Sequence, residues 1–131
     1  MELKQIVSTN KAPAAIGPYS QAVVAGGFIF TAGQIPINPA TGKVEETTFK
    51  GQVRQVLENL KAVLEAGNSS LENIVKVTVF VSDLSKFSEL NEVFNEYFQE
   101  KPPARSAVQV SRLPKDVMVE IEGIAIVGGG D

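Results

Sequence analysis

Ala22-Val23-Val24-Ala25-Gly26-Gly27-Phe28-Ile29-Phe30-Thr31-Ala32 is a pair of apolar runs joined by two glycines. Glycine accepts the positive φ that a two-residue primed turn requires, so the stretch reads as a tight β-hairpin. It lies inside a longer segment, Ala12 to Gly42, that carries no charged side chain. Pro13, Gly17-Pro18, Gly26-Gly27, Gly33 and Pro36 interrupt that segment. It therefore lacks the run of about 20 apolar residues that a membrane helix needs. Strands buried on both faces are the better reading. In a chain of 131 residues this implies a partner subunit over one face.

Outward from the hairpin, Leu3 to Val7 reads as a short first strand and Pro36 to Gly42 as a turn-rich loop. Thr48 to Ala66 reads as a helix, because Val53, Val56, Leu57, Leu60 and Leu64 fall at spacings of three and four. Gly67 stands where a glycine ends a helix, and Ser69-Ser70-Leu71-Glu72 resembles a capping box. Ile74 to Val81 is rich in β-branched residues and reads as a central strand. A second helix is expected from about Ser85 to Gln99, with Phe87, Leu90, Phe94, Tyr97 and Phe98 on its apolar face and Pro102-Pro103 beyond its end. Ala104 to Val110 and Val117 to Val127 read as final strands joined by Ser111 to Asp116. The order β-β-β-α-β-α-β-β predicts an α+β domain over residues 1–127. Its core would be one mixed six-stranded sheet with both helices on one face, and residues 128–131 would form a frayed tail.

Composition narrows the chemistry. The chain has no Cys and no His, and its arginines are Arg54, Arg105 and Arg112. Disulfides, thiolate nucleophiles, zinc ribbons, iron–sulfur clusters and histidine bases are all excluded. No metal-ligand cluster, Walker loop or GxGxxG motif is present, so neither a metal nor a cofactor is expected. The net charge is −3 and the lysines are scattered, which disfavours nucleic acid as a partner. Met1-Glu2-Leu3-Lys4-Gln5 does not read as a secretory lead, and a cytoplasmic location is expected.

Alternation along the last two strands sets Arg105, Ala107 and Gln109 on one face, and Met118, Glu120 and Glu122 on one face. If these strands form a hairpin, Arg105 meets Glu122 or Glu120, and all three charges share the side away from the helices. Such a group is either a cross-strand ion pair or an anion clamp beside a general acid or base. Tyr19 reads as a core aromatic or a pocket wall. Gly33 reads as a bulge or a point of close ligand approach, and Asn91 as a solvated amide. The charged helix positions Lys50, Arg54, Glu58, Lys61, Glu65, Glu92 and Glu96 read as solvated faces.

Three blocks now carry a resemblance. They are Ala12-Pro13-Ala14-Ala15-Ile16-Gly17-Pro18-Tyr19-Ser20-Gln21-Ala22, then Thr31-Ala32-Gly33-Gln34-Ile35-Pro36, and then Pro103-Ala104-Arg105-Ser106-Ala107-Val108 with Leu113-Pro114-Lys115-Asp116 and Val119-Glu120-Ile121-Glu122. Together they resemble the reactive intermediate deaminase family (RidA, also YjgF) over essentially the whole chain. The resemblance implies a chorismate-mutase-like homotrimer, with the sheets forming an inner barrel and small-molecule clefts between subunits. It implies hydrolysis of 2-imino acids such as 2-iminobutanoate and 2-iminopropanoate to 2-oxo acids and ammonia. Arg105 matches the arginine that holds the substrate carboxylate, and Glu120 the glutamate that positions or activates water. Tyr19, Gly33, Phe87, Asn91 and Pro114 match positions lining the cleft. Ala32 and Ala107 stand at cleft positions where many members carry Ser and Cys. A ribonuclease or translation inhibitor, and a non-catalytic binder of small carboxylates, are the alternative readings.

Overall fold

The structure is a computed structural model describing residues 3–128. Its strands are β1 (Gln5–Val7), β2 (Ala22–Ala25), β3 (Phe28–Thr31), β4 (Ile74–Val81), β5 (Ala104–Gln109) and β6 (Val119–Ile126). Its helices are α1 (Phe49–Ala66) and α2 (Phe87–Tyr97). Single 3-10 turns occupy Leu71–Asn73, Leu84–Lys86 and Pro114–Asp116. The strands form one six-stranded mixed sheet in the order β1-β2-β3-β6-β4-β5. The α+β class, the mixed sheet and the two helices on one face agree with expectation.

The hairpin forms as read: Ala25 pairs with Phe28, and Gly26 and Gly27 take φ of 60° and 85°. Thr48 caps α1 by accepting a 3.0 Å hydrogen bond from Gly51 N. The α1 stripe of Val53, Val56, Leu57, Leu60 and Leu64 is fully buried against Ile29, Val77, Val79, Val119 and Ile121 of the sheet. Gly67 follows α1 for a different reason than a left-handed cap. Its φ is −96°, and a Cβ there would strike Ile29 Cδ1 and come within 3.2 Å of Val7 Cγ2. The left-handed residue is Asn68. The capping box does not form, because Ser70 makes no side-chain cap and Ser69 Oγ instead donates to Ile126 O at 2.7 Å. Expected helix and strand ends move inward by a few residues; α2 begins at Phe87, after the 3-10 turn.

The largest correction concerns the last two strands, which do not pair with each other. β6 inserts between β3 and β4, running antiparallel to both, while β5 lies parallel to β4 at the sheet edge. The charged helix positions lie on solvated faces as expected, and several of them pair across the two helices. Lys50 pairs with Glu92 at 2.7 Å, Arg54 binds Glu96 through two hydrogen bonds of 2.9 and 2.7 Å, and Tyr97 Oη donates to Glu58 at 2.7 Å. These exposed contacts stitch α1 to α2 across their outer edges, where solvent screening keeps each of them weak. Gly128 N donates to Asn68 O at 2.9 Å. The remainder of the expected tail, 129–131, lies outside the described residues.

The face away from the helices is uncovered and carries an exposed apolar patch beside Glu120 and Glu122. Register places Ile6, Phe28, Phe30, Val108 and Ile126 on it, each between 40 and 58 % exposed. No helix among the described residues is long and apolar enough to cross a membrane.

Candidate active site

Arg105 and Glu120 are separated by β4 and point to opposite faces. Arg105 is level with Val77, whose side chain is fully buried on the helix side, whereas Glu120 is level with Phe80 on the uncovered side. The expected grouping of Arg105, Glu120 and Glu122 on one face is therefore corrected: only the two glutamates share it. The reason is topological. A hairpin would have put the strands side by side, but β4 takes that place.

The sheet thus carries two separate clusters. In the first, the Arg105 guanidinium lies 5.0 Å from the ring centres of both Phe87 and Phe94 on α2. Aromatic faces attract a cation, and the arginine stem can cover apolar surface, so an arginine is tolerated on the helix side at the sheet edge. Among the described residues no carboxylate pairs with it. Burial lowers its pKa, although a guanidinium stays charged at any working pH. Asn91, Phe94, Asn95, Phe98, Pro102 and Pro103 join Arg105 around a cleft of about 530 Å³. Asn91 is thus a cleft residue rather than a solvated amide. Ala107, two residues along β5, packs its methyl group on the core beside Val79.

The second cluster is built on a β-bulge. Between the Phe30–Ile124 and Gln34–Ile121 pairs, the first strand holds three residues and the second holds two. The extra residue brings Gly33 beside Glu120. A Cβ at Gly33 would come within 2.8 Å of Glu120 Cδ and closer still to Oε2. The bulge reading of Gly33 holds, and the group that comes close to it is the Glu120 side chain of the same chain. Glu120 is half-buried, and its pKa is raised first by burial and then by Glu122. Gly33 also walls a cavity of about 420 Å³ with Tyr19, Gln34, Ile35, Pro114 and Lys115. Tyr19 is half-exposed, its Oη accepts from Ile16 N at 3.3 Å, and it is a wall residue rather than core. Ala32 N donates to Gln21 O at 2.9 Å. The Gln21 side chain in turn holds the loop before Tyr19, donating to Thr9 O and Pro13 O at 3.0 and 2.8 Å.

Reading the sequence put Phe94 on an apolar face and gave it no part in the site. Its spacing of seven from Phe87 is the signal that the two rings share one side of α2. Lys115 and Gln34 carried no such signal, since loop folding alone brings them to the cavity.

The family described as Endoribonuclease L-PSP matches residues 9–127. A RutC family protein of Pyrococcus horikoshii is 57 % identical over 123 residues, covering 94 % of this chain and 98 % of that protein. The chain belongs to the RidA family. Within it, TdcF of Escherichia coli, whose name proposes a reactive intermediate deaminase, is 48 % identical over 127 residues, covering 95 % of this chain and 98 % of TdcF. A crystal structure of RidA from an Antarctic Psychrobacter superposes with a TM-score of 0.90 at 49 % identity, covering 94 % of this chain and 99 % of that one. TdcF has also been crystallised with bound serine. A RidA-family chain with the two clusters described above therefore has relatives named for deamination and one that holds an amino acid.

Proposed function

We propose that this protein hydrolyses 2-imino acids to 2-oxo acids and ammonia, and that its active site is composed from two copies of the chain in a homotrimer. The observation that carries the reading is the unpaired Arg105 guanidinium between Phe87 and Phe94. A partly buried cation with no counter-ion among the described residues is a ready seat for an anion, and its planar fork matches a carboxylate. Glu120 supplies the other half from a neighbouring copy. The apolar patch with Ile6, Phe28, Phe30, Val108 and Ile126 is the surface that a second copy would bury, bringing one chain's Glu120 towards the next chain's β5 edge.

The chemistry is modest in its demands. Water adds to the imine carbon, the nitrogen gains protons, and the carbinolamine collapses as the C–N bond breaks, leaving the 2-oxo acid and ammonia. Arg105 fixes the carboxylate and so the imine carbon. Glu120, with its raised pKa, holds the water and passes its proton to the departing nitrogen; such acid–base help is worth about a hundred- to ten-thousandfold. No thiol takes part, and Ala107 in place of a cysteine leaves the scheme intact.

A coupled assay tests this. Added to a pyridoxal-phosphate dehydratase acting on threonine, the protein should speed appearance of 2-oxobutanoate, and Arg105→Ala should remove the effect. No acceleration by the wild type would overturn the proposal, and cleavage of RNA surviving Arg105→Ala would favour the ribonuclease reading.

A further inference from the structure

Two amides on α1 are buried where aliphatic side chains would pack as well. Gln52 and Asn59 are 6 % and 1 % exposed, and they stand among Val53, Val56, Leu57 and Leu60, all at 0 %. A buried amide costs about 1–3 kcal/mol unless its polar atoms are bonded, so the partners of these two are informative. Neither amide bonds to its own helix backbone. Gln52 Oε1 accepts from Met118 N at 2.8 Å, and its Nε2 donates to Glu46 O at 3.0 Å. Asn59 Nδ2 donates to Ile35 O at 3.1 Å and to Ile37 O at 2.9 Å. Asn59 Oδ1 accepts from Gln55 Nε2 at 2.9 Å.

These targets bracket one residue. Met118 stands just before β6, two positions from Glu120, and its carbonyl accepts from Ser82 N at 3.1 Å. Ile35 follows Gln34, which is tied to Ile121 by hydrogen bonds of 2.8 and 3.1 Å, and Gly33 next to it meets the Glu120 carboxylate. One rigid helix therefore holds the backbone before Glu120 and the backbone beside it. The bulge at Gly33 is where a strand would most readily slip or relax.

We infer that Gln52 and Asn59 are positioning residues, which hold the segments around Met118 and Ile35 to α1 and thereby seat the Glu120 carboxyl against Gly33. The inference rests on the role proposed above for Glu120. It assigns the two amides no contact with substrate. Their removal should let the Gly33 segment move and admit water to Glu120, while leaving Arg105 on its own face of the sheet undisturbed.

The test compares Asn59→Ser and Gln52→Met with Val56→Ala, a variant that loosens the same helix without touching either loop. On 2-iminobutanoate, kcat should fall about tenfold or more in the amide variants, with KM within about twofold of wild type. Titration of the Glu120 carboxyl carbon by NMR, assigned with Glu120→Gln, should show its pKa moving back towards the ordinary carboxylate range in the amide variants and staying put in Val56→Ala. Equal effects in Val56→Ala, or an unmoved Glu120 titration in the amide variants, would overturn the inference. If Asn59→Ser does not fold, Gln55→Leu frees the Asn59 amide from a partly buried partner and should give the same two changes in smaller measure; its failure to do so would likewise overturn the inference. A wild type inactive on imines would overturn the proposed function, yet the titration would still decide whether the amides seat Glu120.

Discussion

Arg105 and Glu120 sit on opposite faces of one sheet with β4 between them, so a single chain cannot close both around a small substrate. This makes the active site a question about pairs of chains. Arg105→Ala and Glu120→Gln should each abolish imine hydrolysis when pure. Co-refolded in equal amounts, they should recover about a quarter of the wild-type sites, because a quarter of neighbouring pairs combine an intact arginine with an intact glutamate. The coupled dehydratase assay on the mixture reads this directly. Activity absent from every mixture would place both residues in one chain's site or neither.

Gly33 is adjacent to Glu120 by space, not by backbone angle: its φ is not positive, and the demand comes from the carboxylate that a Cβ would strike. Gly33→Ala should therefore leave the fold and the carboxylate clamp in place while displacing Glu120. The expected outcome is a fall in kcat of about a hundredfold with 2-oxo acid binding retained, measured by steady-state kinetics and calorimetry. A variant that binds and turns over normally would show that the seat at Gly33 does not matter to catalysis.

What could be read in advance follows from the range of each signal. The Gly26-Gly27 hairpin and the α1 stripe were legible because turn chemistry and helical spacing are local. The pairing of β5 with β6 was not. Alternation tells which residues of one strand share a face, but matching faces between strands requires knowing the neighbours, and β6 passes over its sequential partner to lie beside β3. The same gap hid the aromatic seat of Arg105, since a charged residue facing the helices runs against the usual pattern until Phe87 and Phe94 are known to receive it. The polar devices on α1 were hidden because Gln52 and Asn59 bond to loops whose folding has no periodic mark.

The uncovered sheet face should be the assembly surface. Phe30, 44 % exposed at the middle of β3, is surrounded there by Val23 and Ile124. Phe30→Glu places a charge on a surface that must lose water for copies to associate, which costs several kcal/mol. Sedimentation should show monomers, circular dichroism should show an intact fold, and deamination should be lost although Arg105 and Glu120 are both present. A trimer that persists with this substitution would move the interface elsewhere.

The raised pKa of Glu120 also predicts how stability varies with pH. Burial, and then Glu122, disfavour its ionised form in the folded chain, so the folded carboxyl holds its proton to a higher pH than the unfolded one. Below the ordinary carboxylate range both states are protonated and the residue is neutral towards folding. As pH rises through that range the unfolded chain ionises first, and stability falls until the folded carboxyl has ionised as well, above which the penalty is complete. Glu120→Gln keeps the shape and cannot ionise. Its stability relative to wild type, followed by urea unfolding at fixed protein concentration, should improve as pH rises through and just above the ordinary carboxylate range, then level off once the folded carboxyl has ionised. A difference that stays flat over this interval would mean that Glu120 is solvated in the folded protein, and the proton it is proposed to deliver to the leaving nitrogen would have to come from another group.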